Sequence, residues 1–89
     1  MRAVITVIGK DMVGILAKVS VKCAEKNINV LEVTQSILQD MFAMIMMVDI
    51  SNSSVPFTEF TDELEQMGRE MNLSIHAMHE DIFNAMHTI

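Results

Sequence analysis

The run MFAMIMMVDI at residues 41–50 carries apolar side chains at odd and even positions alike. Successive side chains of a strand point to opposite faces, so a strand of this composition needs cover on both of them. Residues 3–8, Ala-Val-Ile-Thr-Val-Ile, read the same way and are rich in β-branched side chains. A chain of 89 residues has room for one two-layer core. Both strands are therefore expected at the centre of one sheet, in a single domain spanning residues 1–89.

The rest of the pattern supplies the layers. From residue 14 to about 26, Lys18, Lys22, Glu25 and Lys26 share one arc of a helical wheel, and Ile15, Leu16, Ala17, Val19, Val21, Cys23 and Ala24 fill much of the remainder. That apolar arc is wider than one sheet face requires. Asn27 ends the helix, and residues 28–38 form a strand whose polar insertions, Glu32, Thr34, Gln35 and Ser36, suit an edge. Gln39-Asp40 makes a short hairpin connection without the usual glycine.

After the polar loop at 51–54, Pro56 fits the first turn of a second helix. Phe57, Phe60, Leu64, Met67 and Met71 recur at spacings of three and four, which makes a narrow stripe lying on a sheet, with Gly68 as a mild interior weakness. Residues 73–78 read as a fourth strand. Ile82, Phe83, Met86 and Ile89 cluster as in a short C-terminal helix, expected over about 80–87. The order β-α-β-β-α-β plus a terminal helix predicts an α+β, ferredoxin-like two-layer sandwich with its core in residues 3–78. Strand three is apolar on the side that would otherwise meet water, so a second subunit or the C-terminal helix is expected to cover it. A homodimer is the expectation.

Charge narrows the function. Six Lys and Arg stand against twelve Asp and Glu, a net charge of −6, which repels phosphate backbones and argues against nucleic acid as the partner. Residues 46–89 hold one base, Arg69, and eight of the acids. No apolar run is long enough to span a membrane, the N-terminus lacks a cleavage-site pattern, and a single cysteine, Cys23, fits a reducing compartment. These point to a cytoplasmic protein.

The candidate chemistry is sparse. Gly9 and Gly14 have the separation of a phosphate loop, but Ile15-Leu16 follow where Lys-Ser/Thr is needed. Two readings remain: turn geometry, or a helix start whose free amides near Met12, Val13, Gly14 and Ile15 attract a small carboxylate. His76, His79 and His87 invite a metal. On a continuous strand, however, residues three apart face opposite ways, and half-exposed surface histidines are the plainer reading. Cys23 falls on the apolar side of the first helix, where a thiol is buried and inert. No nucleophile motif or carboxylate pair marks an enzyme, and nothing calls for a cofactor.

Taken together, GKDMVGILAKVS at 9–20 and NINV at 27–30 resemble an ACT domain, the small regulatory module that binds amino acids in many metabolic enzymes. The resemblance rests on Asp11, Gly14, the aliphatic pair Ile15-Leu16 and the step Asn29-Val30. Where many family members carry Arg-Pro-Gly, this chain has Met12-Val13-Gly14. The VIGKD start and the IFNAM tail are similar to those of short, stand-alone, uncharacterised prokaryotic ACT-domain proteins. The resemblance implies an amino-acid site between subunits, with amides near Val13, Gly14 and Ile15 on the ligand carboxylate and Asp11 and Asn29 on its amine. It implies a non-enzymatic regulatory protein. The alternative is a structural module that docks an unidentified protein partner without any small ligand.

Overall fold

The computed structural model describes residues 1–10 and 14–87, the side chains of Leu38 and His87 excepted. Its elements are β1 (Arg2–Gly9), α1 (Ile15–Glu25), β2 (Asn29–Leu38), β3 (Met41–Asp49), α2 (Phe57–Met71), β4 (Ser74–His79) and α3 (Glu80–His87). The sheet order is β2-β3-β1-β4, antiparallel throughout. The two strands that are apolar on both faces thus hold the centre, and the more polar pair forms the edges.

Alternation along the strands sets the core. Ala3, Ile5 and Val7 of β1 and Met44, Met46 and Val48 of β3 are fully buried, in one cluster with Ile15, Val19 and Cys23 of α1 and Phe60 and Leu64 of α2. The stripe on α2 is therefore the predicted one, with Phe57, Met67 and Met71 partly buried at its margins. Glu63 of α2 joins the two helices by reaching Lys22 and Lys26 of α1, at 3.5 and 3.2 Å.

Both core helices stop in the same way. Asn27 (φ 59°) and Asn72 (φ 62°) adopt the left-handed conformation that asparagine tolerates. The next N–H turns back onto the helix, Ile28 to Cys23 O and Leu73 to Gly68 O, each at 2.8 Å. An apolar residue follows each cap and enters the core.

Two expectations change. Pro56 does not lie in the first turn of α2; it precedes it with extended backbone (φ −60°, ψ 149°), and Phe57 begins the helix. Gly68 is more than a weak helical position. It is buried, and a Cβ there would stand 2.9 Å from Leu73 O and 3.0 Å from Ile75 Cγ1, so its bareness sets how closely α2 approaches β4.

The face away from α1 and α2 is only partly covered. Val4 lies on that face yet is fully buried, and α3 packs against β1 and β4 there, with the Arg2 guanidinium bonded to the Glu80 carboxylate. Ile8, Met41 and Ile45 on the same face remain exposed, Ile45 by 40%. On β2, Val30 and Val33, in register with buried Val48 and Met46, also stay open, as does Ile37 opposite the partly buried Phe42, at 71% exposed. Helix α1 touches β2 without burying these side chains.

Candidate functional site

Gly14 is the hinge between β1 and α1. It caps the helix start with φ 76° and ψ 1°, is exposed, and has no atom within 4 Å of where a Cβ would stand. Its carbonyl accepts the N–H of Lys18 at 3.0 Å, so the helix is wound from its first turn. Among the described residues no side-chain cap and no first-turn acid occur there. The first-turn amides therefore keep the partial positive charge of a helix N-terminus. Ile15, the next predicted site residue, is buried. Asp11, Met12 and Val13 lie outside the described residues.

Asn29 is at the other end of the molecule. It opens β2 opposite Asp49 of β3, and Asp49 in turn pairs with Arg2, whereas Gly9 pairs with Phe42 at the far end of the sheet. Helix α1 spans that separation with 11 residues, a length of about 16 Å. Within one protomer, Gly14 and Asn29 do not meet. The site inferred from the sequence can form only between two protomers.

Asp49 was not singled out by the sequence, because only strand register brings it opposite Asn29. Hydrogen bonds from Ser51, and the N-terminal ammonium at 3.7 Å, hold its carboxyl below the usual carboxylate range. It is thus an ionised acceptor at the Asn29 end. The segment around it is tied down by Ser54 N–H on Lys26 O (2.8 Å) and by the Asn27 amide on Asn52 O (3.0 Å).

The remaining candidates separate. Strand β4 runs unbroken through His76 and His79, which pair with Thr6 and Ala3 and so face opposite sides of the sheet. His79 stacks on Phe57, with ring centroids 4.5 Å apart. The side chain of His87 lies outside the described residues, and among the described residues no three His, Cys, Asp or Glu side chains are placed to share a metal ion. Cys23 is free and fully buried, and burial pushes its thiol up to about 11. A thiol so disposed is a poor nucleophile at neutral pH. No helix among the described residues is long and apolar enough to cross a membrane.

Comparison with known proteins agrees with this architecture. Residues 2–78 match a family model described as ACT domain. The chain is 53% identical to a UPF0237 protein of Listeria innocua over 89 residues, covering the whole of both chains. It superposes on an ACT domain protein from Streptococcus pneumoniae with a TM-score of 0.80 and 38% identity, over 93% of each chain. It is also similar to the ligand-free regulatory subunit of aspartate kinase from Thermus thermophilus, with a TM-score of 0.59 and 28% identity over 86% of this chain and 48% of that one.

Proposed function

Because the chain belongs to the ACT domain family, whose members are regulatory ligand-binding modules, we propose that it is a non-enzymatic, cytoplasmic homodimer that senses a free amino acid. The observation that carries this reading is the start of α1, where Gly14 is exposed and, among the described residues, no side-chain cap or first-turn acid occurs. Amides of that turn bind the ligand carboxylate, and the bare Gly14 lets it approach the backbone. The regulatory subunit of an amino-acid kinase among the structural relatives favours the same ligand class.

The edge of β2 supplies the second half of the site. Its outer backbone groups pair with nothing in the sheet order, and Val33 and Ile37 beside it are exposed. A two-fold, antiparallel pairing of β2 with its copy brings the start of one strand to the end of the other. That places Asn29 of one protomer near Gly14 of its neighbour. Asp11 of the loop and Asn29 across the interface then take the ligand ammonium, with Asp49 close by.

Ligand bound between subunits stabilises the dimer by mass action, and the dimer surface carries the signal to a protein partner. A thermal-shift screen of the twenty amino acids tests this. At millimolar concentration a small subset is expected to raise the melting temperature. If none does, amino-acid sensing is wrong and the chain is a docking module without a small ligand.

A further inference from the structure

At the end of the sheet, beyond the register pair Ile8 and Ser74 and beneath the last turn of α2, lies a hollow of about 710 Å³. That volume is in the range of small-molecule sites. Its polar lining comes from Lys10, Arg69, Asn72 and Ser74, and Ile8 and Met71 contribute apolar wall. Among the described residues no acidic side chain lines it, in a protein of net charge −6. The neighbouring groove between the two core helices is the reverse, with Glu59, Asp62, Glu63 and Glu70 around a single lysine.

The local chain explains this polarity. Arg69, the only base in the second half of the sequence, sits in the last turn of α2. One of its N–H groups donates to Gln66 Oε1 at 2.9 Å. Among the described residues neither Arg69 nor Lys10 takes part in an ion pair. Carbonyls at the end of α2 would oppose an anion, but those of Gly68 and Arg69 already accept the N–H groups of Leu73 and Asn72.

We propose that this hollow binds a small carboxylate with an apolar tail, the carboxylate held by Arg69 and Lys10 and the tail lying along Ile8 and Met71. The described lining offers no carboxylate partner to an ammonium group. The expected ligands are therefore simple carboxylic acids rather than free amino acids, held by side chains outside the Gly14–Ile15 turn. An anion repelled by most of the surface is steered to this end of the sheet.

Amide NMR titration with octanoate, and with octanamide as the neutral isostere, tests the assignment. Octanoate is expected to give saturable shifts at Gly9, Lys10, Asn72 and Ser74, with octanamide about tenfold weaker, the difference one charge-assisted contact makes. Arg69→Gln and Lys10→Gln, both at exposed positions whose fold the same spectra verify, are each expected to weaken octanoate about tenfold. Gly14→Val, which disables the amino-acid site, leaves octanoate binding unchanged. Equal binding of octanamide, no loss in either variant, shifts centred on Ile45 and Met47 of the open face, or no saturable shift at millimolar octanoate would each overturn the proposal.

Discussion

Three glycines divide the labour at the level of single residues, and the sequence revealed only part of it. The spacing of Gly9 and Gly14 marked a turn before a helix, and Gly14 is indeed the left-handed residue of that turn. Gly68 looked like a helical weakness because its constraint comes from β4, a segment that no local pattern connects to it. The two positions should respond differently to substitution. Gly14→Ala forces a side chain into φ 76° without a clash and should cost about 1–2 kcal/mol, and Gly14→Asn should recover much of that, since Asn27 and Asn72 already adopt this conformation. Gly68→Ala gains helix propensity but meets the Leu73 carbonyl, a net loss of roughly 1–2 kcal/mol, and Gly68→Asn should be worse. Urea denaturation of the four variants checks this. Equal losses for Gly14→Ala and Gly14→Asn would mean that the turn resists side chains for steric reasons instead.

Elements were the most legible level. Runs that are apolar on both faces named the central strands, and polar insertions named the edges, because burial on two sides leaves little freedom of composition. Boundaries moved by a residue or so, as at β4 and α2, where one asparagine and one extended proline decide the end. What the sequence left open was cover. Helix α3 takes one end of the open face, and on the helix side of β2 Val33 and Ile37 stay exposed. If β2 is the dimer edge, a charge there should separate the subunits while leaving the protomer intact. Ile37→Lys is expected to sediment as a monomer at micromolar concentration, against a dimer for the wild type, with far-ultraviolet dichroism unchanged. A wild-type monomer would place the dimer proposal in error.

For the whole molecule, topology decides function. The sequence pointed to Gly14 and Asn29 as parts of one site, yet the order β2-β3-β1-β4 sets them at opposite ends of one protomer. That separation follows from parallel β1 and β2 joined by α1, which is invisible in residue spacing. A site that uses both Gly14 and Asn29 must draw them from two copies of the chain, as proposed. The decisive measurement is calorimetric titration of the amino acid that most raises the melting temperature, into Gly14→Val, into Asn29→Ala, and into the two refolded together. In a mixed dimer, one composite site combines both substitutions and the other has neither. Each variant alone is predicted to bind weakly or not at all, and the mixture to regain one site of wild-type affinity per mixed dimer. Wild-type binding by either variant alone, or no recovery in the mixture, would contradict a site shared between two copies of the chain.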